Sequence, residues 1–137
     1  MFALDESLGY WVNRVAARMA LLLGEALKPF DVTPVQFGTL VTLFGNEGIS
    51  QKNLAERTYK DPPATARILD RLQEKGLVRR EPDPRDKRAF RVYLTQSGRE
   101  LVPRLIPYAE AVNQKAYGEA DGGEVLAAIR AIDGNLA

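Results

Sequence analysis

The chain has 137 residues, 45% of them hydrophobic and 27% charged, with a formal net charge of +1 and neither cysteine nor histidine. That size and composition suit a single globular domain. The two missing residue types exclude disulfides, thiolate or imidazole metal sites, and catalysis by an imidazole base or a thiol. No G-x-G-x-x-G, Walker loop or G-x-S-x-G occurs either, so the expectation is a non-enzyme with no metal and no cofactor. The N-terminus has no basic-then-apolar leader, and the longest apolar run, MALLL at 19–23, is too short to span a bilayer. The expected location is the cytoplasm, away from membranes.

In chain order, apolar residues first recur at Leu4, Leu8, Trp11, Val15, Met19, Leu22, Ala26 and Phe30, the three-or-four spacing of one face of a long helix. Pro29 disfavours helical geometry at Lys28 and sets the end there. Thr33-Pro34-Val35-Gln36 supplies a cap, a first-turn proline and a capping-box glutamine. The second helix starts there, is expected to bury Phe37, Leu40, Val41 and Phe44, and stops before GNEG. Ser50 caps a short third helix with Leu54 and Ala55 inward, and Asp61-Pro62 opens a fourth whose apolar face is Ile68, Leu69 and Leu72. Gly76 fits a left-handed helix end followed by Leu77.

Past Gly76 the period changes to two. Leu77 to Pro82 and Ala89 to Thr95 read as antiparallel strands around the loop DPRDKR, too long and too charged for a plain hairpin turn. Thr95 or Ser97 then caps a helix carrying Leu101, Leu105, Ala109, Val112 and Ala116, with Pro103 and Pro107 expected to bend its first half. Asp121 caps a last helix bearing Val125, Ile129, Ile132 and Leu136.

Charge is unevenly placed along this framework. Arg67 to Arg104 holds eleven basic and six acidic residues, leaving eight basic and twelve acidic elsewhere, a segregation that suits a polyanion-binding surface. The order helix, helix, hairpin with a charged tip is that of a winged helix-turn-helix, whose second helix enters the DNA major groove. The fold class is mainly α with a small β-hairpin wing.

The run from Leu54 to Gly98 also resembles the core of the MarR family of bacterial transcriptional regulators. The residues that carry the likeness are L-D-R-L-x-x-x-G-L-V-x-R at 69–80, D-P-x-D-x-R at 83–88, Leu94-Thr95-x-x-Gly98, and V-T-P-x-Q-F at 32–37. The resemblance implies one MarR-like domain over 1–137, with a winged-helix core at 31–97 and dimerisation helices in 1–30 and 98–137. It implies a homodimer that presents two recognition helices to a pseudo-palindromic duplex, as a repressor released by a small ligand.

On that reading Arg88 enters the minor groove and Asp86 holds it, whereas composition alone suggests a surface ion pair of little consequence. The recognition helix is atypical: Pro62, Pro63, Ala64, Thr65, Ala66 and Arg67 leave Thr65 and Arg67 as hydrogen-bonding candidates, with the alanines available to thymine methyl groups. Lys60, Arg71, Arg79, Arg80, Arg85 and Lys87 are phosphate candidates. The family's effectors are small phenolic, aromatic or acyl compounds. Tyr10, Trp11, Arg14, Arg18 and Phe37 lie on the elements that would border such a ligand, although aromatics at helical spacing also serve as core. Without cysteine or histidine, the chain does not resemble the family's peroxide or metal sensors. The alternative reading is a winged-helix module for protein or RNA binding.

Overall fold

The computed structural model describes residues 1–137, which form two compact units. Leu27–Ile106 is one; Met1–Ala26 with Pro107–Ala137 is the other.

The unit Leu27–Ile106 contains α2 (Pro34–Phe44), β1 (Ile49–Ser50), α3 (Gln51–Arg57), α4 (Pro62–Glu74), β2 (Val78–Pro82), β3 (Phe90–Leu94) and the start of α5 (Gln96–Tyr117). Its helix starts follow the local chemistry. The Thr33 hydroxyl accepts the Gln36 N–H while the Gln36 side chain accepts the Thr33 N–H; Ser50 accepts the Asn53 N–H; the Asp61 carboxylate accepts the Ala64 N–H at 2.7 Å. Between the two possible caps of α5 it is Thr95 that serves, its hydroxyl accepting the Gly98 N–H. At the end of α4, Gly76 has φ 73°, its N–H reaches the Gln73 carbonyl, and the Leu77 N–H reaches the Leu72 carbonyl. This pair of bonds is a Schellman motif.

Leu40, Leu43, Leu54, Leu69, Leu72, Val92, Leu94, Val102 and Leu105 are sealed from solvent and form the core of this unit. Two expectations about it need correction. The inner face of α2 consists of Gln36, Thr39, Leu40 and Leu43; Phe37 and Val41 are half-buried and Phe44 is exposed. Gln36 turns inward because its amide oxygen is satisfied twice, by the Thr33 N–H and by Lys75 Nζ at 2.9 Å, which removes the usual cost of burying an amide. The expected β2–β3 hairpin forms, with Val78 opposite Leu94, but it is not the whole sheet. β1 adds to β3, with Ile49 opposite Val92, giving the strand order β1-β3-β2. Two residues are too few to show a strand period in sequence.

The other unit contains most of α1 (Leu8–Leu27), the second half of α5, and α6 (Gly122–Leu136), with Asp121 capping the last. The long first helix starts later than expected, at Leu8, and ends at Leu27, where Pro29 was expected to stop it. Leu4–Glu6 is a 3-10 turn, Ser7 is extended, and a second 3-10 turn, Lys28–Phe30, holds Pro29. Both prolines of α5 lie inside one continuous helix. No residue of this unit is fully buried, and Trp11, Val12, Val15, Val125 and Ile129 are all exposed.

Candidate nucleic-acid interface

The DPRDKR tip is shaped by two aspartates acting on backbone. Strand pairing closes with the Asp83 N–H on the Ala89 carbonyl at 2.9 Å. The Asp83 carboxylate then accepts the Arg85 N–H at 2.8 Å and meets Arg91 Nε at 3.2 Å; the Asp86 carboxylate accepts the Arg88 N–H at 3.0 Å, and the Asp86 carbonyl accepts the Ala89 N–H. These are successive Asx turns, which let a short acidic side chain replace a backbone acceptor. The Arg85 N–H holds the Asp83 carboxyl below its usual 3.8; partial burial pushes it up by less, and the Arg91 charge adds a smaller downward pull. Asp86 therefore orders Arg88 through its amide: neither the guanidinium grip nor the surface ion pair expected from sequence is formed. Arg85, Lys87 and Arg88 are exposed and take part in none of the ion pairs, so three cations point outward from a loop whose course is fixed.

The root of the wing is fastened to the turn after α2. The Gly48 N–H bonds the Val92 carbonyl, Arg91 donates to the Gly48 carbonyl, and Glu47 accepts both the Leu94 N–H at 3.0 Å and the Arg99 guanidinium at 2.9 Å. The Arg99 hydrogen bond is the main cause that holds the Glu47 carboxyl below its usual 4.5. Sequence reasoning missed Glu47 because its partners lie about fifty positions away.

On α4 the exposed side chains include Pro62, Pro63, Arg67 and Arg71, with Ala64 and Ala66 half-buried and Lys60 exposed in the turn before it. Thr65 is a correction. It is 2% exposed and its hydroxyl donates to the Asp61 carbonyl, so it belongs to the core and its hydrogen-bonding group is spent on the helix start. Arg79 and Arg80 are committed as well: Arg79 stacks on Tyr93 at 4.3 Å and pairs with Glu81, and Arg80 bonds Asp70 at 2.5 Å and Gln73 at 3.0 Å. What remains displayed is Lys60, Arg67 and Arg71 from the helical side and Arg85, Lys87 and Arg88 from the wing. A groove lined by Gln51, Lys52, Pro62, Arg88 and Phe90 joins the two sides. Lys52 was not anticipated, since one lysine on a short helix carries no signal.

The effector candidates divide between the two units. In the terminal unit Tyr10 and Trp11 meet edge to face at 5.2 Å, Arg14 lies 6.0 Å from the Trp11 ring and reaches the Tyr10 hydroxyl at 3.4 Å, the indole N–H donates to the Asp5 carbonyl, and Arg18 is exposed. Phe37 is half-buried on α2 of the other unit.

Comparison with known proteins places this arrangement. Residues 30–89 match the model of the MarR family. The repressor NicR of Pseudomonas putida is 29% identical over 126 residues, covering 92% of this chain and 80% of that protein. The transcriptional regulator HosA of Escherichia coli O111:H- is 34% identical over 94 residues, 69% of this chain and 70% of HosA. A mutant of Escherichia coli MarR solved with operator DNA superposes with a TM-score of 0.85 at 30% identity, over 95% of this chain and 94% of that one. With its winged helix-turn-helix core and relatives that are regulators rather than enzymes, the chain belongs to the MarR family of transcriptional regulators.

Proposed function

We propose that the protein is a repressor that binds a pseudo-palindromic DNA operator as a homodimer in the cytoplasm and releases it when a small aromatic or acyl ligand binds. The observation that carries DNA binding is the set of uncommitted cations on one unit: Lys60, Arg67 and Arg71 by α4, and Arg85, Lys87 and Arg88 on a tip held by Asp83 and Asp86. A major-groove helix beside a minor-groove arginine is a docking arrangement of this kind, and exposed cations displace counterions from the duplex. The solved complex of a MarR protein with operator DNA and the repressor name of NicR support the same reading.

With Thr65 buried and two prolines at its start, α4 has Arg67 as its main hydrogen-bonding side chain for base edges, so specificity leans on wing contacts and DNA shape. Homodimerisation is supported by the terminal unit, in which Trp11, Val12, Val15, Met19, Val125 and Ile129 line an apolar groove and no residue is fully buried. Such a face needs a partner surface, and two-fold symmetry would set half-sites about 10 bp apart, centre to centre. Tyr10, Trp11, Arg14, Arg18 and Phe37 remain the candidate ligand contacts; a ligand acts only if it binds the two dimer spacings with different affinity.

Selection of duplexes from a random pool, followed by anisotropy titration across a salt series, tests the proposal. The expected result is enrichment of an inverted repeat and an affinity that falls steeply with salt. Equal affinity for every duplex, or preference for RNA, overturns it.

A further inference from the structure

Two helices of the winged unit end in the same way. At the end of α4 the left-handed position is Gly76, and the buried Leu77 follows it. At the end of α3 the Tyr59 N–H bonds the Glu56 carbonyl and the Lys60 N–H bonds the Ala55 carbonyl, so the motif is repeated with Tyr59, at φ 53°, in the glycine position. A side chain with a Cβ is strained there, and glycine would serve the fold better. Nothing inside the molecule rewards the ring. Tyr59 is 88% exposed, and its side chain makes no hydrogen bond, ring stack or cation contact. The residue that follows it, Lys60, is exposed too, and Asp61 then caps α4.

A strained residue whose side chain stays exposed and without a polar or ring partner points to a partner outside the chain. The place of Tyr59 in the sequence names that partner. It stands in the turn just before α4, and with α4 docked in the major groove as proposed this turn would lie at the groove's rim, where the sugar–phosphate strand runs. Its neighbour is a cation, and a tyrosine hydroxyl is a regular donor to phosphate. Resting on the operator-binding reading above, we infer that Tyr59 contacts the DNA backbone at the edge of the major groove, held out to it by the left-handed turn.

Tyr59→Gly and Tyr59→Asn both suit the left-handed conformation and remove the ring. The expected result with the full chain is that Tyr59→Gly melts about 3 °C higher than the parent. Both variants should bind a selected duplex about tenfold more weakly for each half-site the dimer occupies, the order expected for one lost hydrogen bond. A backbone contact carries no sequence information and Tyr59 carries no charge, so random duplexes should lose the same factor and the salt slope should not change. Parental affinity in either variant overturns the inference while leaving operator binding intact. Loss confined to one sequence also overturns it, since that is a base contact. Failure of the parent itself to bind any duplex removes the operator reading and this inference together.

Discussion

The wing-tip aspartate does its work on a backbone amide, and that separates two ways in which its loss could act on DNA binding. Deleting Asp86 removes a negative charge, which alone would strengthen attraction to a polyanion. It also frees the Arg88 amide and loosens the turn that presents the guanidinium, which adds ordering entropy to binding. We expect the second effect to win, so Asp86→Ala should bind the operator more weakly than the parent. Arg88→Ala should lose about 1 to 3 kcal/mol and make the salt dependence shallower by about one unit per half-site. Anisotropy titrations of both variants across a salt series check the pair, and tighter binding by Asp86→Ala would refute the account of the tip. Thr65 offers the complementary case. Because its hydroxyl is buried against the Asp61 carbonyl, Thr65→Val should cost about 1 kcal/mol of stability and leave the preferred duplex unchanged, as urea unfolding and repeated selection would show.

At the level of elements, one glycine in the Leu94-Thr95-x-x-Gly98 signature has a steric explanation. α5 begins so close to the strands that a Cβ on Gly98 would collide with the Leu77 carbonyl oxygen and sit 3.2 Å from Leu94 Cδ2. That carbonyl already accepts the Thr95 N–H, so it cannot move away freely. Gly98→Ala should therefore destabilise the chain by about 2 kcal/mol or more, read as a lower urea midpoint. This example also marks what sequence could and could not disclose. Helix starts and the Gly76 end were legible because caps act over three or four residues, and the strands were legible because their period is two. The rotation of α2 was not, since it depends on Lys75, thirty-nine positions away, satisfying Gln36. β1 was too short for a pattern, and Glu47 gained its role only through Leu94 and Arg99. On the candidate site, the tip cations were visible as a charge cluster, whereas the burial of Thr65 and the diversion of Arg79 and Arg80 into ion pairs needed three dimensions.

At the scale of the whole molecule, the Glu47 pairing contributes to the acid dependence of stability. The carboxyl is held below its usual 4.5 in the folded state, so its contribution is fully present above that value and is lost as pH falls through the lower folded one. Glu47→Gln should be less stable than the parent at neutral pH, and the gap should narrow below about pH 4; thermal midpoints at stepped pH check this. The proposed self-association is the other property at this scale. Replacing Ile129, exposed on the apolar face of α6, with lysine should shift the chain toward monomer in sedimentation and weaken operator binding, while the winged unit keeps its fold. That same face makes both measurements simple. Its groove contains the chain's one tryptophan, Trp11, and the chain has no cysteine. Intrinsic fluorescence therefore arises, among indoles, from a single known position on the proposed contact face, so dilution can be followed optically without labelling. A thiol introduced at Lys87 would be the sole site for a dye or spin label, giving the wing a reporter that the native sequence leaves free of background.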